Sequence, residues 1–186
     1  MSSAQPTTKM VKKVCVLGDF AVGKTSLIRR FVLDLFDDKY ITTMGTKITK
    51  KELRVGDIEL TMQIWDIVGN IIYRKLQEQY YKGSDGAFVV CDLTRPESEE
   101  NLTGWTDHYL KVVPRARLVF LGNKSDLAGP DSPVERALAL RAARHKTTYI
   151  KTSARQGLNV EQAFDVLSYH LLAPPGADLT GGARKP

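Results

Sequence analysis

Short apolar runs recur along the chain, and most are followed by a stretch whose apolar positions return every three or four residues. Residues 11–17 form a β-rich run ending in Gly18-Asp19, and residues 25–35 then place Leu27, Ile28, Phe31, Val32 and Leu35 at helical spacing. The pattern predicts strand, loop, helix. Residues 46–55 and 58–65 flank Gly56-Asp57, a two-residue turn of the kind that joins antiparallel strands. In the second arm Ile58, Leu60, Met62 and Ile64 alternate with Glu59, Thr61 and Gln63, so one face is buried; the Lys-rich first arm reads as an edge strand. Three further strand and helix units follow, 86–91 with 97–113, 118–121 with 134–145, and 149–151 with 160–171. Such alternation predicts an α/β protein with a mostly parallel sheet, helices on both faces and the hairpin at one side.

Local chemistry agrees with these boundaries. Ser132-Pro133-Val134-Glu135 combines an N-cap Ser, Pro at the first helical position and Glu at the third, and Asn159 to Gln162 predicts a second reciprocal cap. Val160, Ala163, Phe164, Leu167 and Leu171 form the core stripe of the last helix. Residues 1–10 read as a flexible lead, 11–173 as the folded domain, and 174–186, rich in Pro, Gly and Ala, as a disordered tail.

Composition narrows the class. The chain has 186 residues, 42% hydrophobic and 26% charged, which suits one globular domain. No apolar run approaches the ~18 residues a membrane-spanning helix needs. Lys and Arg exceed Asp and Glu by 27 to 21; residues 1–54 carry 11 basic and 5 acidic groups, so the whole excess lies there. Nucleic acid, a lipid surface, a bound phosphate and an acidic protein would each suit such a stretch. Cys15 and Cys91 sit in apolar runs and read as reduced, buried thiols. The start lacks a secretory apolar core, Ser2 stands where myristoylation needs Gly, and the last residues hold no Cys for prenylation. A cytoplasmic protein without a lipid anchor is expected.

Gly18-Asp19-Phe20-Ala21-Val22-Gly23-Lys24-Thr25 matches the phosphate-binding pattern G-x-x-x-x-G-K-[ST], between a buried strand and a helix as that pattern requires. Its glycines let consecutive N–H groups face phosphate oxygens, Lys24 bridges the outer phosphates, and Thr25 offers a hydroxyl to Mg²⁺. Asn123-Lys124-Ser125-Asp126 follows the run 118–121, at a strand end where open parallel sheets bind ligands. The Asp126 carboxylate can accept from the ring N–H and the exocyclic amine of guanine; adenine lacks that pair, and unpaired polar groups explain its rejection. Thr152-Ser153-Ala154, at the next strand end, could bring backbone donors to the guanine oxygen.

With Thr43-Met44-Gly45 and Trp65-Asp66-Ile67-Val68-Gly69 added, the ordered motifs resemble those of the Ras-like small GTPases, the Rab-type branch above all, over residues 12–172. The resemblance implies a P-loop NTPase fold with a six-stranded sheet, one edge strand antiparallel. It implies GTP and GDP as ligands with Mg²⁺, held by Thr25, Thr43 and Asp66. Phe36 would pack on the guanine, Lys124 lie along it, and Asn123 tie the base loop to the phosphate loop. Ser26, Tyr40 and Arg155 would complete the nucleotide contacts. Thr43 and Gly69 would hold the γ-phosphate, so hydrolysis would release two loops. Effectors, exchange factors and GTPase-activating proteins would be the partners, and nucleic acid is not needed to explain the charge.

Three departures stand out. Asn70 replaces the family's water-orienting Gln and is one methylene shorter, which shifts its polar atoms by ~1.5 Å. Misplacement near 1 Å can cost ~100-fold, so slow intrinsic hydrolysis is expected with Lys24, Thr43, Gly69 and Asn70 as the catalytic set. The alternative is a hydrolysis-impaired scaffold governed by nucleotide exchange. Phe20 stands where relatives carry Gly or Ser; it either crowds an activator's arginine or turns outward toward Ile71, Ile72 and Tyr73. Lys47, Lys50, Lys51 and Arg54 outnumber Glu52 in the strand after Thr43, which reads either as a solvated edge or as a surface for an acidic partner.

Overall fold

The computed structural model describes residues 8–37, 45–130 and 132–180, with the side chains of all of these except Ile71 and Arg74. Tyr40, Thr43 and Met44 lie outside the described residues. Six strands form one sheet: β1 (Thr8–Leu17), β2 (Thr46–Val55), β3 (Ile58–Ile67), β4 (Gly86–Asp92), β5 (Arg117–Asn123) and β6 (Tyr149–Lys151), in the spatial order β2-β3-β1-β4-β5-β6. Only β2 runs antiparallel to its neighbour, and it is an edge strand. Both features follow from the Gly56-Asp57 hairpin, which cannot lead into a parallel partner without a crossover.

The helices are α1 (Lys24–Leu33), α2 (Arg74–Tyr81), α3 (Pro96–Glu100), α4 (Leu102–Val112), α5 (Pro133–Arg144) and α6 (Val160–Leu172). On one face α1 and α6 close a core in which the Phe31 and Phe164 rings stack 3.7 Å apart, over Val14, Leu60, Met62 and Ile64. On the other, Tyr81, Leu102, Trp105, Tyr109 and Leu138 from α2, α4 and α5 cover Cys15, Val89, Cys91 and Phe120. Burial pushes both thiols up, to about 12, so they remain neutral core groups.

Several local readings differ from the structure. β1 begins at Thr8, because Thr8 to Met10 pair in register with Ile58 to Leu60, inside the stretch read as a flexible lead. The stretch 97–113 is two helices meeting at Asn101, and the second-face helix α2, which no spacing announced, precedes them. Ser132 does cap α5 by accepting from Glu135 N–H. Asn159 does not cap α6: it sits at φ 54°, in the left-handed region, and turns its amide to donate to the Lys151 carbonyl at 2.8 Å. Residues 174–180, read as disordered tail, lie against the sheet's β6 side. Arg117 donates to the Pro174 carbonyl at 2.9 Å and the Thr148 hydroxyl to that of the buried Leu179 at 2.7 Å.

Candidate functional site

The C-terminal ends of β1, β3, β5 and β6 converge on a cleft of about 270 Å³. One wall is the loop from β1 to α1. Gly18 has φ 133°, and a β-carbon there would strike the Val90 carbonyl; Gly23 has φ 98°, and one there would strike the Asn123 amide. Ala21 takes a left-handed φ of 62° as well, so the loop curls tightly before α1 begins at Lys24. Lys24 is buried at this turn and donates to the carbonyls of Gly18 and Asp19, each at 2.7 Å. Its pKa falls to about 8, chiefly from burial, with Asp66 and Asp19 resisting the fall and Arg95 adding to it. An ammonium desolvated in this way is completed by an anionic ligand.

Thr25, on the first turn of α1, donates to Asp66 Oδ2 at 2.5 Å. The other carboxylate oxygen, Oδ1, is buried and has no hydrogen-bond partner among the described residues. Burial raises the Asp66 pKa, with the Thr25 hydroxyl and Lys24 opposing. A hard cation fits this pair of oxygen donors, because it would satisfy the orphaned oxygen and stabilise the carboxylate charge. Gly69 packs so closely on the phosphate loop that a β-carbon would meet Lys24 Nζ and lie 2.6 Å from the Asp19 carbonyl carbon.

The opposite end is built from strand termini. Asn123, at the end of β5, donates to the Val22 carbonyl at 2.9 Å and accepts from Ala154 N–H at 3.1 Å, joining three loops. Lys124 adopts φ 61° and its ammonium meets the buried Asp92 carboxylate at 2.7 Å. Asp126 accepts from the Ser153 hydroxyl at 2.6 Å, which aims the carboxylate into the cleft it lines. The backbone N–H groups of 152–154 are engaged within the protein. The N–H groups of Thr152, Ser153 and Ala154 bond Gly122 O, Leu158 O and Asn123 Oδ1, so each already has a partner inside the protein.

Phe20, Ala21, Gly23, Lys24, Thr25 and Ser26 line the cleft on the phosphate side. Phe36, Asn123, Lys124, Asp126, Ala154 and Arg155 line it on the other, with Gly69 between. Gly18, Asp19, Val22 and Ser153 act from behind the wall. Asn70 is half-buried and does not line the cleft: its Oδ1 accepts from Ile72 N–H at 3.0 Å, a local turn that starts the 3-10 segment Ile71–Tyr73. Phe20 stands at the rim and is 47% exposed.

Several supporting residues carried no sequence signal. Arg30 of α1 clamps the far loop, donating to the carbonyls of Ala154 at 3.0 Å and Arg155 at 2.8 Å, with Phe36 packed over its guanidinium. Gln77 of α2 is fully buried and donates to the carbonyls of Val68 and Asn70, fixing the loop after β3. Asp92, just past the predicted strand 86–91, likewise carried no signal. The four basic residues of β2 split by strand alternation. Lys51 turns inward, 5.5 Å from the Phe31 ring centroid, and shares its face with Lys47; Lys50 and Arg54 point the other way. They do not form one patch. Among the described residues His, Cys, Asp and Glu form no metal-binding cluster, and no helix is long and apolar enough to cross a membrane.

The model of the Ras family matches residues 13–173. The chain is 38% identical over 169 residues to Ras-related protein Rab7 of Drosophila melanogaster, covering 88% of this chain and 82% of that protein. It is 39% identical over 173 residues to human Ras-related protein Rab-7b, covering 90% and 86%, and 36% identical over 181 residues to the Ypt/Rab-type GTPase avaA of Emericella nidulans, covering 94% and 88%. The chain therefore belongs to the Ras family as a Rab-type small GTPase, a GTP-binding, GTP-hydrolysing switch on a P-loop fold.

Proposed function

We propose that this GTPase binds GTP and GDP in the cleft between its phosphate loop and the Asn123 to Asp126 loop, with Mg²⁺, and cleaves GTP slowly unless a partner assists. The observation that carries the reading is the convergence on one cleft of Lys24, the Thr25 and Asp66 oxygen pair, and the Asp126 carboxylate. Lys24 binds the outer phosphates, whose negative charge offsets the burial that lowers its pKa. Asp126, oriented by Ser153, reads the guanine edge; Phe36 and Lys124 enclose the ring. Thr25 and Asp66, with Thr43, would hold Mg²⁺, which when bound neutralises charge developing between the outer phosphates. Thr43 and the Gly69 N–H serve as the γ-phosphate tethers whose release on cleavage resets the switch.

Slow cleavage follows from the loop after β3. The Asn70 side-chain carbonyl is bonded within its own turn, and the residue is too short to keep that bond and orient an attacking water in the cleft. Exchange factors, activators and effectors then govern the lifetime of each state. Of the basic β2 residues, Lys50 and Arg54 are the pair that an acidic effector surface meets, since they share the outer face. Two buried, neutral thiols suit a reducing compartment such as the cytoplasm. The test is equilibrium binding of fluorescent GTP, GDP and ATP with and without Mg²⁺. Guanine nucleotides should bind at least 100-fold more tightly than ATP, and more tightly with Mg²⁺; comparable ATP binding would overturn the reading.

A further inference from the structure

The phosphate loop is held from the side by one elbow, the junction of α3 and α4. Asn101 Nδ2 and Trp105 Nε1 donate to the two oxygens of the Asp19 carboxylate, both at 2.7 Å. Arg95, the N-cap residue of α3, donates from Nη2 to the Phe20 carbonyl, also at 2.7 Å. Lys24 already occupies the carbonyls of Gly18 and Asp19. Two cations therefore rest on three consecutive carbonyl oxygens of one loop. The elbow is firmly seated: Trp105 is buried, and Glu99 of α3 pairs with Arg141 of α5 at 2.7 Å.

This arrangement changes the field at the phosphate site. A carboxylate in the second position of a phosphate loop repels polyphosphate, and the two neutral donors turn the Asp19 oxygens toward the elbow instead. Arg95 adds a positive charge at the loop itself, through its hydrogen bond to the Phe20 carbonyl. Its Nε is buried with no hydrogen-bond partner among the described residues, which leaves that donor unsatisfied. Phe20 itself is half-exposed and lines the cleft.

We propose that Arg95 is an intramolecular positioning cation for GTP cleavage, holding the phosphate loop through the Phe20 carbonyl and supplying positive charge toward the γ-phosphate. The inference rests on the GTPase reading above. It makes Arg95 the resident counterpart of a group that such enzymes otherwise receive in cis or from an activator.

The experiment compares full-length protein with Arg95→Lys, Arg95→Gln and Arg95→Ala, reading single-turnover GTP cleavage and the release rates of GTP and GDP. Arg95→Gln and Arg95→Ala should slow cleavage about 10-fold or more and speed GTP release at least 3-fold more than GDP release; Arg95→Lys should stay within about 3-fold of wild type. Gln keeps an N–H for the Phe20 carbonyl but lacks charge, so wild-type cleavage by Arg95→Gln would overturn the proposal. Equal loss of GTP and GDP retention in all three variants would reduce Arg95 to a structural support and overturn it too. Wild-type protein that holds neither nucleotide would instead overturn the GTPase reading itself, and this proposal with it.

Discussion

The two ends of the cleft are built to different standards. At the base end Asn123, Thr152 and Ser153 are at most 1% exposed, sit on strand termini, and have hydrogen-bond partners inside the protein. At the phosphate end the loop after β3 leaves Ile72 84% and Tyr73 48% exposed, and Phe20 stands out at the rim. The base is an invariant part of both nucleotides, so its reader gains from a fixed frame. The γ-phosphate comes and goes, so its sensors must lie on loops that can be remade at small cost. The departures from the family, Phe20 and Asn70, also fall on the phosphate end, as does Arg95. On the proposed reading, recognition follows the family pattern and the timing of cleavage is where this chain would differ.

The largest expected effect breaks the base end. Asp126→Asn removes the double acceptor and should weaken GTP binding by ~10²–10⁴, while improving binding of xanthosine triphosphate, whose extra carbonyl can accept from Asn. Competition binding measures both; unchanged guanine preference would refute the assignment. Next, Asn123→Ala strips partners from the Val22 carbonyl and Ala154 N–H at once. At about 1–3 kcal/mol for each buried group left unpaired, nucleotide release should quicken at least 10-fold and thermal stability should drop.

A change at the phosphate end should act on rate and leave affinity alone. Asn70→Gln frees the turn made with Ile72 and restores reach, so single-turnover cleavage should rise ~10-fold to 100-fold with GDP affinity unchanged. Equal rates in the two proteins would remove Asn70 from the mechanism.

The smallest effect is pH-dependent. Burial disfavours the Asp92 anion, but Lys124 and Thr94 outweigh it and hold the carboxyl below its ordinary value. A depressed folded pKa means that the ion pair's contribution is complete above the usual carboxylate range and lost as pH falls through the folded value. Nucleotide release from Asp92→Asn should be ~3-fold to 10-fold faster than wild type at neutral pH, with the gap closing only below about pH 4. A gap that closes near pH 6 would show that another group controls the loop.

What the sequence revealed follows the same division. Period-two alternation in Ile58 to Ile64 and the stripe of the last helix reflect local burial, so strands, order of elements and edge position were legible. The phosphate loop and Asn123 to Asp126 were legible because their chemistry is contiguous in the chain. The elbow was not: Arg95, Asn101 and Trp105 meet residues 75 to 86 positions away. No spacing rule encodes such pairs. The α2 helix was missed because its charged and aromatic residues give no clean apolar stripe, and its burial depends on Gln77 reaching back to the preceding loop. The capping role expected of Asn159 failed because its left-handed backbone and the donation from Nδ2 to the Lys151 carbonyl leave its Oδ1 without a helix N–H to accept from.

The most direct measurement is phosphate release from a stoichiometric complex of the protein with GTP and Mg²⁺, followed through a single turnover beside the Asn70→Gln variant. The account predicts complete conversion to GDP, slow in the wild type and about 10-fold or more faster in the variant. No cleavage in either protein, or rapid cleavage in the wild type without a partner, would contradict it.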